Sequence, residues 1–135
     1  MTLTAADLQA LVAAMPFAAG CGIEVTEASP EEVTGRMAWR ADLCTTQGIL
    51  HGGALMTLAD TIGAVCAFLN LPEGANTATL QSATNMLRAA RQGRVTAVAR
   101  RIHAGRTTIV VRTDLVDDSG RLLATTTQTQ AVLVS

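Results

Sequence analysis

Residues 54–69 read ALMTLADTIGAVCAFL, a stretch of sixteen residues in which only Asp60 carries a charge. Six apolar side chains recur at helical spacing and share one broad face: Leu55, Leu58, Ile62, Val65, Cys66 and Leu69. On the opposite side Ala54, Ala64 and Ala67 are apolar as well. Because a helix that is apolar on nearly every side must be enclosed on most sides, the pattern predicts a central helix wrapped by a curved sheet.

The rest of the chain predicts one further helix and six strands. Thr4–Ala14 favours a short amphipathic helix that ends before Pro16, with Thr4 and Asp7 spaced for a capping box. Turn sequences containing Gly, Pro, Asp and Ser separate the predicted strands, which are Ile23–Ala28, Glu32–Trp39, Thr77–Leu87, Arg94–His103, Thr107–Asp117 and Leu122–Val134. We expect the first two strands to form a hairpin and the last four to pair in meander order. The predicted fold class is α+β, an antiparallel sheet around a long central helix, in a single domain over residues 1–135.

The composition excludes several classes of function. Apolar residues make up 49% of the 135 residues and charged residues 16%, which is typical of a chain that buries a core. A net charge of -1, with one Trp and two Phe, argues against a nucleic-acid partner. All ten basic residues are Arg, so a Schiff-base lysine and a P-loop lysine are both excluded.

The apolar stretch 48–69 does not favour a membrane span. A carboxylate at mid-depth, here Asp60, costs roughly 2.5–3.5 kcal/mol, and neither flank has the Arg cluster or aromatic belt that anchors a span. Cys21, Cys44 and Cys66 are far apart and come without a CxxC motif or a secretory leader, which indicates reduced thiols. We therefore expect a cytoplasmic protein without a membrane partner.

Candidate catalytic residues are concentrated where the central helix begins. Gly52 and Gly53 leave no side chain at the point where free backbone N–H groups and the positive end of the helix dipole converge, which suits a developing oxyanion. Asp60 follows about two turns later, and burial of its carboxylate should raise its pKa. Each feature alone has an ordinary structural explanation, but together with His51 at one helix start they favour a catalytic site.

Other catalytic arrangements lack support. The sequence has no G-x-S-x-G motif, no GxGxxG before a helix and no pair of His at metal spacing, so a serine hydrolase, a dinucleotide enzyme and a zinc enzyme are not expected. Cys66, on the apolar helix, is interpreted as a core thiol.

The segment from His51-Gly-Gly to Leu58-Ala-Asp60 resembles the hot-dog-fold acyl-CoA thioesterases of the PaaI-like (phenylacetate-degradation) type. Thr79–Leu87 followed by Arg88-Ala-Ala is similar to the family's strand that ends in Leu-Arg-Pro-Ala, and Gly105-Arg106 is similar to its next hairpin. The resemblance implies a hot-dog fold and hydrolysis of acyl-CoA thioesters with neither metal nor redox cofactor, coenzyme A being part of the substrate. It also implies a homo-oligomer, a dimer or a homotetramer built as a dimer of dimers, with sites between subunits. Pairing would close the edge strands of an open sheet.

The resemblance assigns roles to individual residues. Asp60 matches the carboxylate that acts as general base for a water or as nucleophile, and Gly52 matches the backbone that polarises the thioester carbonyl. His51 matches a histidine that shapes the pocket, and Thr79 a hydroxyl contributed by the facing subunit. Gly53 is expected to contact the substrate.

Further substrate-binding residues are expected in two regions. Thr45 stands where many relatives have Asn or Gln, six positions before the histidine, and Gln47 is a nearby alternative for placing the water. Ala89 replaces the proline of the family's strand-end segment, which loosens the turn without removing a catalytic group. The phosphates of CoA need arginines, and the candidates at predicted strand ends and turns are Arg88, Arg91, Arg94 and Arg106.

Two alternatives to hydrolysis stay open at this point. One is an acyl-CoA-binding module that does not hydrolyse, which the departure at Thr45 would suit. The other is a hot-dog dehydratase, which would need a catalytic histidine in a pattern that His51 and His103 do not form. Neither the acyl preference nor the choice between base and nucleophile for Asp60 can be predicted from these residues.

Overall fold

A computed structural model describes residues 3–134 and contains six strands and three α-helices. The helices are α1 (Ala5–Ala13), α2 (Pro16–Gly20) and α3 (Gly52–Phe68). The strands are β1 (Glu24–Ala28), β2 (Glu32–Ala38), β3 (Asn76–Met86), β4 (Arg94–Ala104), β5 (Thr108–Val116) and β6 (Leu122–Leu133). They form one antiparallel sheet in the order β1-β2-β4-β5-β6-β3, and α3 packs against every strand from β2 to β6. The predicted α+β fold and the β1–β2 hairpin are confirmed.

The first helix follows local sequence rules. The Thr4 hydroxyl accepts the N–H of Asp7 at 3.1 Å, and the Asp7 carboxylate accepts the N–H of Thr4 at 2.8 Å, which confirms the predicted capping box. The first helix ends before Pro16, as predicted, but Pro16 then begins the unpredicted helix α2. Proline is tolerated there because the first N–H of a helix has no intrahelical partner.

One predicted strand pairing is wrong. β3 does not pair with β4 but lies at the sheet edge beside β6, and β4 pairs with β2 and β5, so only β4, β5 and β6 form a meander. The segment between β3 and β4 does not make a tight turn because its backbone is bonded elsewhere. Its Ala90 carbonyl accepts the Leu50 N–H at 2.9 Å, and its Gly93 carbonyl accepts the Trp39 N–H at 2.8 Å. These hydrogen bonds place the end of this segment beside β2, with which β4 then pairs.

β3 is a long edge strand with 11 residues, none of them buried. Leu80 is 63% exposed and Met86 44%. The other edge of the sheet, β1, is packed against α1. An exposed edge that carries apolar side chains is a place where another strand can add.

A β-bulge interrupts the pairing of β3 between Thr79 and Gln81. Leu80 is the extra residue, and Ser82 then lies directly opposite the buried Gln128. Thr79 lies opposite Gln130, which is buried as well. Thr79 and Ser82 therefore share the sheet face toward α3, whereas strict alternation would put them on opposite faces.

α3 has one buried and one open side. Leu58, Ile62 and Cys66 are fully buried against the sheet, while Asp60 and Phe68 are exposed on the opposite stripe. The expectation that the carboxylate of Asp60 is buried is therefore wrong for a single chain, because the sheet covers only one side of α3. Within residues 3–134, no helix has both the length and the apolar character needed to cross a bilayer.

Candidate active site

The start of α3 presents one free backbone donor. His51 is the N-cap residue, and its Nδ1 accepts the N–H of Gly53 at 2.8 Å, so the proton of the neutral ring is assigned to Nε2. The next N–H groups along the helix, from Ala54 and Leu55, donate to the His51 carbonyl. The N–H of Gly52 has no acceptor among the described residues. Gly52 therefore keeps the donor that an oxyanion needs, whereas the donor of Gly53 is occupied.

The two glycines are required to different degrees. A Cβ at Gly53 would lie 3.0 Å from Nδ1 of His51, so a side chain there would press on the ring that caps the helix. A Cβ at Gly52 would meet only the Cε of Met86, at an ordinary 3.4 Å. Position 53 thus needs a glycine because a side chain there would press on the capping ring of His51, whereas position 52 has room for a small side chain.

Gly52 opens into a cleft that Thr45 also lines, together with Met86 and Arg88. The N–H of Thr45 donates to the carbonyl of Ile49 at 2.8 Å, which closes the short loop before the helix. Gln47 belongs to this loop but lies outside the cleft, exposed and with φ +64°. Thr45 and Gln47 are the two residues predicted to place a water. Of the two, Thr45 lines the cleft of Gly52.

Asp60 lies in a separate groove on the open side of α3, with a volume of about 530 Å³. The residues that share this groove come from three elements and the loop before α2: Met15, Phe17, Ala18, Gly53, Met56, Thr57, Thr61 and Ser82. Asp60 is the one charged residue among them. These neighbours remove part of the hydration of the carboxylate, and this desolvation raises the pKa of Asp60 above its ordinary value. The predicted direction of the pKa shift is confirmed.

Gly52 and Asp60 cannot act on one carbonyl from the same chain. Asp60 follows Gly52 by eight residues of continuous helix. At about 1.5 Å of rise per residue, the two lie roughly 12 Å apart along the helix axis. Since an oxyanion donor must approach to about 3 Å, the short side chain of Asp60 cannot bridge the remaining distance.

The hydroxyl that the resemblance assigns to the facing subunit, that of Thr79, is bonded to β6 within a single chain. Oγ1 of Thr79 accepts the Nε2 N–H of Gln130 at 2.9 Å, and Thr79 does not line the groove of Asp60 in its own chain. Ser82 lines that groove instead. Sequence reasoning missed Ser82 because the bulge at Leu80, which turns it toward α3, has no local signal in the sequence.

Two of the four predicted phosphate-binding arginines share a cleft. Arg88 and Arg91 line it together with Arg121, which the sequence analysis did not single out, and with the acidic residues Asp117 and Asp118. Arg121 is paired with Asp117 at 3.0 Å. Arg88 donates to the carbonyl of Leu122 at 3.1 Å and also lines the cleft of Gly52. Arg88 thus connects the free N–H of Gly52 with a cationic cleft.

The other two arginines are placed differently. Arg94 begins β4 near this cleft, where its backbone N–H donates to a carboxylate oxygen of Asp118 at 3.2 Å. Arg106 follows the end of the same 11-residue strand. At about 3.3 Å per residue, it is roughly 35 Å from the start of β4. The expectation that Arg106 groups with the other arginines is wrong within one chain, because β4 separates them.

Neither metal ligation nor a nucleophilic thiol is evident in the described part of the chain. Across residues 3–134, His, Cys, Asp and Glu side chains do not come together in groups of three that could hold a metal ion. Cys66 lies on the buried face of α3, and desolvation raises the pKa of its thiol to about 11. The interpretation of Cys66 as a core thiol is confirmed.

Comparison with known proteins identifies relatives over most of the chain. Residues 47–124 match the model of the thioesterase superfamily. A thioesterase of Pseudomonas aeruginosa is 35% identical over 130 residues, covering 94% of this chain and 90% of that protein. The crystal structure of a mutant of that thioesterase has a TM-score of 0.88 and covers 94% of both chains.

Two further relatives extend the comparison. The 1,4-dihydroxy-2-naphthoyl-CoA hydrolase of Escherichia coli is 36% identical over 86 residues, which are 64% of this chain and 63% of that protein. The chain thus spans less than two thirds of the length of that hydrolase. A hypothetical thioesterase protein from Streptococcus pneumoniae, solved with coenzyme A, is 28% identical with a TM-score of 0.75, covering 84% of this chain and 88% of that one.

The superfamily match covers more than half of the chain and contains the whole of α3 with Gly52 and Asp60. The fold agrees, since the matched structures superpose along nearly the whole length of the sheet and helix. The chain therefore belongs to the thioesterase superfamily and is a thioester hydrolase with the hot-dog fold.

Proposed function

We propose that the protein hydrolyses acyl-CoA thioesters to a free acid and coenzyme A at a site shared between two copies of the chain. The observation that carries this proposal is the separation of Gly52 and Asp60 into two clefts, each holding one half of a thioesterase site. A second copy that brings its Asp60 to the Gly52 of the first would complete the arrangement.

The chemistry needs only these two groups and a water. The Gly52 N–H binds the thioester oxygen, which becomes an oxyanion when the carbonyl is attacked. The Asp60 carboxylate takes the proton of the attacking water, and the protonated acid then returns it to the departing CoA thiolate. Direct attack by Asp60, giving an anhydride that water opens, uses the same geometry. A thioester lacks much of the resonance of an ester, so these groups suffice with neither a metal nor a redox cofactor.

The exposed edge of β3 and the open side of α3 support the shared site. Antiparallel pairing of two β3 edges about a two-fold axis would cover Leu80 and Met86, which are exposed in one chain. The same axis would set two α3 helices antiparallel, so that the start of each approaches the middle of the other. We propose a dimer or a dimer of dimers, the homotetramer of a PaaI-like enzyme. The three free cysteines suit a cytoplasmic location.

The cationic cleft supports coenzyme A as the leaving group. Arg88 and Arg91 form no ion pair with any carboxylate of the described residues. Their guanidinium groups are suited to bind phosphates. Arg88 also borders the cleft of Gly52, so phosphates bound there would direct the acyl end toward the oxyanion donor.

Release of coenzyme A is the direct test. Purified protein is mixed with a panel of acyl-CoAs and a thiol reagent, and the appearance of free CoA is followed. We expect turnover by the wild type and a loss of about 100-fold or more in Asp60→Asn, since a general base typically contributes that much. Binding of acyl-CoA without release of the thiol would indicate the acyl-CoA-binding module instead. A monomer in light scattering at micromolar concentration would contradict the shared site.

A further inference from the structure

We propose that Phe17 limits the length of the acyl group that the protein accepts, because its ring separates the groove of Asp60 from a second, apolar cleft that a longer chain must enter. The inference rests on the proposed hydrolysis of acyl-CoA at a site shared between two copies of the chain. It deepens that function by naming the acyl subsite and the residue at which this subsite ends.

The proposed shared site fixes which cavity takes the acyl group. Arg88 and Arg91 line the cleft suited to the phosphates of coenzyme A, and Arg88 also borders the cleft of Gly52. A thioester carbonyl has the sulfur of coenzyme A on one side and the acyl chain on the other. When its oxygen is bound by the N–H of Gly52, the acyl chain therefore points away from the arginines and toward Asp60 of the second copy.

The groove of Asp60 crosses the open side of α3. Ser82 of the edge strand β3 borders it, and so do Met15, Phe17 and Ala18, which lie in α2 or just before it. Since α2 packs against α1, and α1 against β1 at the opposite edge of the sheet, α2 lies on the side of α3 away from β3. An acyl chain that enters from the β3 edge, where the second copy pairs, thus passes Asp60 and runs toward Phe17.

A second cleft of about 500 Å³ adjoins this groove at Phe17. Phe17, Gly53 and Thr57 line both cavities. Gly53 has no side chain, and the hydroxyl of Thr57 is held by the carbonyl of Gly53 at 2.8 Å. The ring of Phe17 is therefore the bulky side chain that the two cavities share. It is 73% exposed, so the described residues leave it room to move or to be replaced.

The second cleft is suited to an uncharged chain. Its apolar lining consists of Phe17, Cys21, Leu43, Cys44 and Ala54. The carboxylate of Asp42, which also borders it, accepts two hydrogen bonds from Arg40, each of 3.0 Å. Nδ1 of His51 accepts the N–H of Gly53 at 2.8 Å. Within residues 3–134 no arginine lines this cleft or the groove of Asp60, so an acyl group with a second carboxylate finds no counter-charge there.

The test is the dependence of kcat/KM on acyl length, measured with the intact protein and straight-chain acyl-CoAs from butanoyl to hexadecanoyl. Each methylene buried in an apolar site gives about a four-fold gain in binding. In the wild type this gain should stop once the chain reaches Phe17. In Phe17→Ala it should continue, so that the ratio of kcat/KM for dodecanoyl-CoA to that for butanoyl-CoA rises roughly ten-fold or more. Phe17→Leu should raise the ratio by less, and Phe17→Trp should lower it.

Phe68→Ala is the matched control, because it also removes an exposed ring beside α3 but one that lines neither cavity. Its dependence on acyl length should match that of the wild type. Adding Cys44→Phe to Phe17→Ala fills the second cleft and should return the ratio toward the wild-type value. That reversal would show that the longer chain enters this cleft.

Three results would overturn the role of Phe17. One is an unchanged dependence on acyl length in Phe17→Ala and Phe17→Trp, and another is the same change in Phe68→Ala. The third is a smaller mass of Phe17→Ala in light scattering, which would place the ring in a contact between copies. Each of them leaves the proposed function intact as long as the wild type releases coenzyme A. Failure of the wild type to release it from any acyl-CoA would instead remove the proposed function itself.

Discussion

The two clefts along α3, which we propose to hold the halves of one reaction, are built in different ways. At Gly52 the donor is the first backbone N–H of the helix, which is free because it has no intrahelical acceptor, and it needs no particular side chain. At Asp60 the group is a side chain whose pKa is raised by the desolvation that neighbours from three elements impose. The first half is therefore set by helix geometry and the second by tertiary packing. Since they lie far apart in one chain, we infer that neither is complete without a second copy.

Among the substitutions considered below, removal of the N–H of Gly52 should lower activity the most. Gly52→Pro deletes that N–H at the first helical position, where proline is well tolerated, and His51 already has the extended conformation that precedes proline, φ -58° and ψ 137°. We expect kcat to fall about 10²–10³-fold, as for loss of one oxyanion donor. The measurement is steady-state hydrolysis of an acyl-CoA.

Gly52→Ala is the control for that change, since it retains the N–H and adds a methyl group at ordinary contact distance from Met86. It should keep most of the activity. Equal activity of the proline and alanine variants would show that this N–H does not bind the oxyanion.

Mixing the two inactive variants tests whether the halves come from different chains. In a dimer of one Gly52→Pro chain and one Asp60→Asn chain, one site has both wild-type groups and the other has neither. After unfolding and refolding of an equal mixture, about a quarter of wild-type activity should return, because half of the dimers are mixed and each has one intact site. Activity that stays at the level of the separate variants would place Gly52 and Asp60 in independent sites.

The cationic cleft should affect binding more than turnover. We expect Arg88→Ala and Arg91→Ala each to raise KM for an acyl-CoA by roughly two- to five-fold, since exposed charge pairs contribute little individually. The effect should weaken as salt is raised. It should be absent with an N-acetylcysteamine thioester of the same acyl group, which has no phosphate.

Arg106→Ala sharpens the same comparison, because Arg106 lies at the far end of β4 from this cleft. Its KM is expected to match the wild type. A rise as large as that of Arg88→Ala would mean that Arg106 reaches the phosphates of a substrate bound by another copy.

The smallest effect concerns stability. Desolvation raises the pKa of Asp60 in the folded protein. The folded protein therefore binds a proton at this carboxyl more tightly than the unfolded chain does. Below the ordinary pKa of 3.8 the acid is neutral in both states, and as pH rises through the folded pKa the ionised form makes the fold less stable. Asp60→Asn should therefore melt higher than the wild type at about pH 7 and converge with it at about pH 3. A lower melting temperature of the variant at neutral pH would contradict the desolvated carboxylate.

Much of the fold could be predicted because the signals are local. The capping box at Thr4 and Asp7, the break at Pro16 and the long apolar helix all follow from residues within a few positions of one another. The pairing of β3 could not be predicted in this way. The segment after β3 forms backbone hydrogen bonds with Leu50 and Trp39 instead of making a tight turn, and both residues are distant from it in sequence. Six of the eleven residues predicted for the site lie at the start of α3 or in clefts that α3 lines.

What the sequence determined by itself is the helix and its chemistry: Gly52 at the start, Asp60 two turns later, and an apolar surface that demands a sheet. A helical period is short, so the spacing of these groups is readable without the rest of the chain. Only the tertiary structure decided that Asp60 is open on one side, that Ser82 of the same chain borders its groove, and that β4 separates Arg106 from the other arginines. Strand neighbours are set by long-range pairing, and one extra residue in a strand reverses which face every later side chain occupies.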